Sequence, residues 1–211
     1  MKMTKRIVAM TACAVMALST TMSVTASAID TNEQITSVSE STNTTITVIN
    51  SISGYSNYAV KQEGSGSCWA ACILSVLKYH DYRTTETFED IYRQANRLTG
   101  SNMSVGDGIS TSKLNVVINN YLGMNDVPTD QMSDRKIYNH IGANEPLIGR
   151  YRESANNLHD VVIYGFEGIE TGYGLFMIKK FRIMDPWTGT CKTIDYYEFN
   201  WDGFYCYTNL L

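Results

Sequence analysis

The sequence predicts an α+β domain in which helices come first and an antiparallel sheet follows. Between residues 68 and 141 the chain carries segments with apolar residues at helical spacing. From residue 147 it changes to short runs rich in β-branched and aromatic residues, separated by Gly and Asn. Helices followed by strands are typical of α+β domains. We therefore expect a central N-terminal helix packed on a C-terminal antiparallel sheet.

The first predicted helix begins at Cys68 and should be buried. Ile73, Leu74, Val76 and Leu77 make it apolar around much of its circumference. Further helices are predicted from a cap at Thr84–Thr85 to a stop near Gly100, from Ser112 to Gly123, and, on a weaker pattern, over Ser133–Ile141.

Five strands are predicted in the second half of the chain, and one near the N-terminus. The early one is Thr45–Val48, where residues alternate within a Ser, Thr and Asn-rich stretch. The later ones are Leu147–Tyr151, His159–Phe166, Leu175–Met184, Cys191–Tyr196 and Phe204–Thr208.

The N-terminus is typical of a secretory signal peptide. Basic residues at positions 2–6 lead into an apolar stretch, Ile7–Leu18, and then into a small-residue cleavage site, Ala26–Ala28. The apolar stretch is shorter than the roughly 20 residues of a membrane span. We therefore expect a secreted protein, divided into a signal peptide at 1–28, a linker or short pro-segment at 29–57 and a folded domain at 58–211.

The expected mature chain is acidic. Removal of residues 1–28 leaves 14 basic and 21 acidic residues, a net charge of −7 with His neutral. That charge argues against nucleic acid or an anionic membrane surface as a partner. We expect no membrane contact after signal cleavage, and a monomer of 183 residues with one core.

Four cysteines remain after cleavage, too few for a disulfide scaffold. Cys191 and Cys206 lie on consecutive strand-like runs, and they are able to bridge if those runs pair as a hairpin. Cys68 and Cys72 are spaced i, i+4 on the first helix, about 6 Å apart at Cβ. That separation makes a bridge between them unfavourable.

Cys68 stands where the run QEGSGS meets the first helix, and two interpretations compete. It is the first buried residue of a core helix, since free cysteine is among the most buried residue types. Alternatively, it is a nucleophile, because a helix N-terminus stabilises a thiolate. A nucleophile needs a base, a group that orients the base, and donors for an oxyanion.

Among three histidines, His159 is the best-placed base. It stands at the start of a predicted buried strand, HDVVIYGF, although a structural role stays open on the residues alone. His80 lies 12 residues from Cys68 on the same helix, about 18 Å away, and cannot reach the sulfur. His140, near the end of the weak helix, is expected to be a surface or capping residue.

The segment QEGSGSCWAAC resembles the active-site segment of papain-like cysteine peptidases. In that family a glutamine precedes the catalytic cysteine by six positions, as Gln62 precedes Cys68, and a Trp follows it. HDVVIYGF is similar to the family's His strand, and in IMDPWTG Asp185 occupies the place of the residue that orients the His. The order Gln, Cys, His, Asp is the family's order. The resemblance covers roughly residues 58–211.

The resemblance implies roles for four residues. Cys68 would attack a peptide carbonyl, its pKa lowered by the helix N-terminus and by His159 as imidazolium. The side-chain NH₂ of Gln62 and the Cys68 backbone N–H would hold the oxyanion. His159, oriented by Asp185, would protonate the leaving amine. Trp187 would either shield the His–Asp bond or be a core aromatic.

Three features depart from the family. Asp160 follows His159 where small residues are more usual. Asp160 should point to the opposite face of its strand from His159, so it is a poor alternative for orienting the ring. Asp202 is the better reserve candidate for that role. Ser65 stands where plant and lysosomal enzymes have a disulfide-forming cysteine, which excludes that bridge. The 91 residues from Cys68 to the His are fewer than the roughly 130 to 150 of papain and cathepsins. The domain thus resembles compact bacterial members such as staphopain and papain-like effector peptidases.

The resemblance implies a secreted cysteine endopeptidase that acts on protein or peptide substrates without a metal or organic cofactor. Two alternatives stay open. The same triad serves acyl or peptidyl transfer, or leader-peptide processing, and the residues do not separate these from hydrolysis. A catalytically weak binding protein of the same fold is the other, although it would have no need of all four site residues.

Overall fold

The computed structural model describes residues 45–155 and 157–207 of the 211-residue chain. Within them it has four helices and seven strands, which confirms the α+β class. The helices are α1 Cys68–His80, α2 Phe88–Thr99, α3 Thr111–Leu122 and α4 Asp134–Gly142. The strands are β1 Thr45–Ser51, β2 Met124–Val127, β3 Leu147–Ser154, β4 Asn157–Thr171, β5 Phe176–Asp185, β6 Thr190–Asp195 and β7 Asn200–Tyr207. The predicted signal peptide lies outside the described residues.

Helix α2 begins later than its predicted cap. Thr87 is the N-cap residue: its hydroxyl accepts the Asp90 backbone N–H, and the Asp90 carboxylate accepts the Thr87 N–H. This capping box satisfies two backbone donors that the helix leaves free. The predicted cap at Thr84–Thr85 is wrong because several neighbouring threonines fit the same pattern. The predicted stop is confirmed, since Gly100 adopts the left-handed conformation with φ 63°.

The sheet is built around β4, its longest strand. The strand order is β2-β7-β3-β4-β5-β6, and β1 also pairs with β4. Along one edge of β4, β3 pairs with the first half and β1 with the second; β5 pairs along the other edge. All these pairings are antiparallel. Strand β1 lies in the stretch predicted as a linker or pro-segment, where one strand was expected.

The expected bridge between Cys191 and Cys206 is wrong. Strand β7 crosses back to pair with β3, so β6 and β7 have three strands between them. At roughly 4.8 Å per strand, the two cysteines are about 19 Å apart. All four cysteines in the described residues are free thiols. Consecutive strands in sequence therefore did not predict neighbours in the sheet.

Helix α1 is the central helix that the sequence predicts. Every residue from Cys68 to Val76 is buried. The helix packs on β4 and against α2 and α3, which explains why it is apolar around most of its circumference. In the part of the chain that the structure describes, no helix is long and apolar enough to cross a membrane.

Candidate active site

Cys68 is the first residue of α1, at the end of a loop that rests on a second glycine-containing loop. The Gly66 N–H donates to the Gly106 carbonyl at 3.0 Å. A Cβ on Gly66 would lie 2.5 Å from the Gly108 nitrogen and 2.8 Å from the Asp107 carbonyl carbon. Only glycine allows the two backbones to approach so closely. The two loops therefore fix the position of Cys68 by backbone contact.

Side chains from α1 and α2 hold this second loop in place. The Asp107 carbonyl accepts hydrogen bonds from Trp69 Nε1 at 3.1 Å and from the Tyr92 hydroxyl at 2.7 Å. Trp69 is buried, so it is a core aromatic that also supports the site. This loop, SVGDG, was not predicted to belong to the site. Its two glycines, Gly106 and Gly108, are an ordinary turn signal, and nothing local indicates their partner.

His159 and Asp185 form a buried pair on neighbouring strands. His159 Nε2 lies 3.0 Å from Asp185 Oδ1. A carboxylate only accepts, so Nε2 carries the proton, and Nδ1 is the nitrogen left to exchange a proton with a thiol. The predicted neighbourhood of the His strand and the strand ending at Asp185 is confirmed, since β4 pairs with β5.

Two further donors converge on the Asp185 carboxylate. The Trp187 backbone N–H donates to Oδ1 at 2.9 Å, and Lys192 Nζ lies 2.6 Å from Oδ2. Burial alone would raise the pKa of Asp185, but the hydrogen bonds from His159, Lys192 and the Trp187 N–H outweigh it and hold that pKa well below its usual range. Asp185 is therefore ionised.

Lys192 is a site residue that sequence reasoning missed. It lies on β6, where Thr190 is the partner of Asp185, so Lys192 is the diagonal neighbour two residues on. Diagonal cross-strand neighbours are within reach of long side chains. Only the register of β5 on β6 reveals this, and the register depends on the turn between them.

The other candidate residues lie elsewhere. The Asp202 carboxylate binds Arg152 at 2.8 Å on the surface, so the structure gives the reserve assignment no support. His140 is fully buried and pairs with Glu145 at 3.1 Å, which overturns its expected surface or capping role. His80 stands at the far end of α1 from Cys68, as predicted.

The Cys68 thiol is hydrogen-bonded to Asp160. Its sulfur lies 3.7 Å from Asp160 Oδ2. Burial first, and then the charge of this carboxylate, raise the pKa of Cys68 to about 12. The expected lowering of the thiol pKa by His159 and the helix N-terminus is therefore wrong for this arrangement. Asp160 does face away from His159, because alternate residues of β4 point to opposite faces.

Gln62 lies between the Cys68 loop and the turn after Asp185. Its backbone N–H donates to the Pro186 carbonyl at 2.9 Å, and its side-chain Nε2 donates to the Gly64 carbonyl at 2.5 Å. Its side-chain oxygen is buried without a hydrogen-bond partner. Trp187, in the same turn, is 59% exposed and is not a core aromatic.

A groove passes Cys68. A cavity of about 250 Å³ is lined by Cys68, Arg150 and Asp160. It shares Ser65 and Gly66 with a second cavity of about 470 Å³. The second cavity shares Ser65 and Trp187 with a third, of about 330 Å³, which Gln62 also lines. The three cavities therefore adjoin one another through these shared lining residues.

A cysteine at the start of a central helix and a His–Asp pair on the sheet that this helix packs against define the papain-like class of cysteine peptidases. The comparison with protein families agrees. The family described as "Papain-like cysteine protease AvrRpt2" matches residues 51–202, and the chain belongs to this family. A comparison with curated proteins found no match.

Proposed function

We propose that this protein is a secreted cysteine endopeptidase that hydrolyses peptide bonds with Cys68 as nucleophile. One observation carries the proposal: Cys68 begins α1, which packs on β4, the strand that carries His159, and the His159 ring is bound to Asp185. Nucleophile, base and orienting carboxylate are the three parts that covalent acyl transfer requires.

The reaction follows from these atoms. The Cys68 proton passes to His159 Nδ1 as the sulfur attacks the substrate carbonyl carbon. His159 then protonates the leaving amine, and the C–N bond breaks to give an acyl-enzyme. A water molecule, deprotonated by the same nitrogen, attacks the acyl carbon and releases the carboxylic acid and the thiol. Asp185 keeps Nε2 protonated throughout and stabilises the imidazolium that forms in each half-reaction.

Gln62 and the Cys68 backbone N–H are the proposed oxyanion donors. The N–H of the first helical residue has no acceptor within its own helix. Gln62 Nε2 uses one hydrogen for the Gly64 carbonyl, which leaves the second for a substrate oxyanion. Loss of one such donor typically costs about 10²- to 10³-fold in kcat.

The groove suits an extended protein or peptide chain. Cys68, Arg150 and Asp160 line one cavity, and Trp187 and Gln62 line another that adjoins it at Ser65. A bound chain would then contact the enzyme beyond the scissile bond, which is what an endopeptidase needs. We further propose that the protein acts as a monomer.

Export is the second part of the proposal. The signal-peptide pattern of residues 1–28 supports cleavage after Ala28, so that the secreted protein begins at Ile29. N-terminal sequencing of protein from the culture medium measures this directly. Recovery of an intact Met1 would contradict secretion by this route.

Labelling with a thiol-reactive epoxide tests the nucleophile. We expect alkylation at Cys68, located by mass spectrometry, with Cys72 unmodified although it lies one turn along the same helix. Cys72 is fully buried and serves as the internal control. Equal labelling of both cysteines, or labelling that persists at the same rate in a His159→Ala variant, would contradict the proposed site.

A further inference from the structure

The Tyr92 hydroxyl on α2 makes two hydrogen bonds to the SVGDG loop, residues 104–108, and the mechanism above does not use them. It donates to the Asp107 carbonyl at 2.7 Å and accepts the Gly106 backbone N–H at 3.2 Å. Tyr92 is 2% exposed, and burial raises its pKa to about 12, so at neutral pH the hydroxyl keeps the proton that it donates. One buried side chain therefore holds two consecutive residues of the loop.

Gly106 links Tyr92 to the loop that carries Cys68. The Gly106 N–H donates to Tyr92, and the Gly106 carbonyl accepts the Gly66 N–H at 3.0 Å. A Cβ on Gly64 would lie 2.8 Å from the Gly106 Cα, so the two backbones are in close contact there as well. The contacts therefore run from α2 through Gly106 to Gly66, which stands two residues before Cys68.

These two loops are joined without a disulfide. Ser65 stands in the Cys68 loop where plant and lysosomal enzymes have a disulfide-forming cysteine, and all four cysteines in the described residues are free thiols. Trp69 Nε1 shares the Asp107 carbonyl with Tyr92, and the two rings pack with centroids 4.9 Å apart. Among the described residues, Trp69 is the one other side chain that hydrogen-bonds to the SVGDG loop from outside it. The hydroxyl of Tyr92 is therefore a large part of what holds the loop.

The SVGDG loop forms one wall of the cavities beside Cys68. Gly108 lines the cavity of about 250 Å³ that Cys68 also lines. Gly106, Asp107 and Gly108 line the adjoining cavity of about 470 Å³. A peptide bound in either cavity would contact this loop. Displacement of the loop would therefore weaken peptide binding more directly than it would change the chemistry at the sulfur.

We propose that Tyr92 is a positioning residue for substrate binding, because its hydroxyl holds the SVGDG loop where the loop forms a wall of the groove. This inference rests on the proposed function, since it assigns the wall to a peptide substrate. Tyr92→Phe keeps the ring that packs on Trp69 and removes both hydrogen bonds. KM for a peptide amide should rise about 2- to 10-fold, the effect of one neutral hydrogen bond. The value of kcat should stay within about twofold of the parent, because the lost interaction is with bound substrate in general and not with the transition state alone.

Amide hydrogen exchange separates this inference from the proposed function, because it requires no peptidase activity. Deuterium uptake by residues 104–108, read by mass spectrometry, should be faster in Tyr92→Phe than in the parent, since the Gly106 N–H loses its acceptor. Absence of peptide hydrolysis by the parent would contradict the proposed function. Unchanged exchange in Tyr92→Phe would contradict the hold of Tyr92 on the loop.

Tyr121→Phe is the matched control. The Tyr121 hydroxyl donates to the Asp90 carbonyl at 3.3 Å, on α2 and not on the SVGDG loop. Its loss should leave KM, kcat and exchange at residues 104–108 unchanged. A purely structural role for Tyr92 would lower Tm without changing KM. The proposal is overturned if Tyr92→Phe keeps the KM of the parent, if its kcat falls while KM stays the same, or if Tyr121→Phe raises KM equally.

Discussion

Replacement of Asp185 tests how His159 is oriented. The carboxylate accepts from His159, Lys192 and the Trp187 N–H. Asp185→Ala removes the acceptor of the His159 proton, a hydrogen bond to a charged group worth about 1.5 to 3 kcal/mol. At 1.36 kcal/mol per factor of ten, kcat/KM should fall by about 10- to 200-fold. Asp185→Asn keeps one acceptor oxygen but loses the charge, so its loss should be smaller.

The assay is hydrolysis of a peptide amide, with near-UV circular dichroism as the check on folding. Asp202→Ala is the matched control, since it removes a carboxylate whose partner is Arg152 on the surface. It should keep kcat/KM within about twofold, as surface substitutions rarely change stability by more than about 0.5 kcal/mol. If well-folded Asp185→Ala matches the parent while Asp202→Ala loses activity, the orienting role belongs to Asp202.

Three smaller predictions concern neighbouring features. Lys192→Met should lower kcat/KM about fivefold, because the ion pair of Lys192 with Asp185 is half exposed and worth about 1 kcal/mol. Lys180→Met, on the same pair of strands, is the control and should leave kcat/KM unchanged. Equal losses in the two variants would refute the role of Lys192 in holding Asp185. Gly66→Ala should lower Tm by on the order of 5 °C through overlap with the facing loop. Gly108→Ala, where the added Cβ meets nothing within 4 Å, is its control and should change Tm less; the reverse order would contradict the loop contact. Thiol counting on unfolded, unreduced protein that comprises residues 29–211 should find four free thiols. A count of two would instead indicate a disulfide between Cys191 and Cys206.

The fold was predictable where its causes are local. Helix α1 follows from the run of apolar residues after Cys68, and the left-handed stop of α2 follows from Gly100. Strand order is not local. The return of β7 to pair with β3 separates Cys191 from Cys206, and no pattern in either strand indicates it. Strand β2 is only four residues long, MNDV, too short for an alternation to be recognised.

The site was predictable to the extent that a motif carries it. The resemblance brought together Gln62, Cys68, His159 and Asp185, and the structure has the last two in hydrogen-bond contact. Lys192 was missed because it acts through a cross-strand neighbour, whose identity depends on register. The raised pKa of Cys68 was missed because it depends on burial and on the Asp160 carboxylate, which the packing of α1 on β4 brings close to the sulfur.

The central claim is that Cys68 is the nucleophile of a peptidase, and kcat/KM on a peptide amide tests it most directly. Parent, Cys68→Ala and Cys72→Ala are compared, the last being a matched change at the buried cysteine one turn along α1. We predict that turnover falls to background in Cys68→Ala and persists in a well-folded Cys72→Ala. Peptide hydrolysis by Cys68→Ala at a rate near that of the parent would contradict the claim.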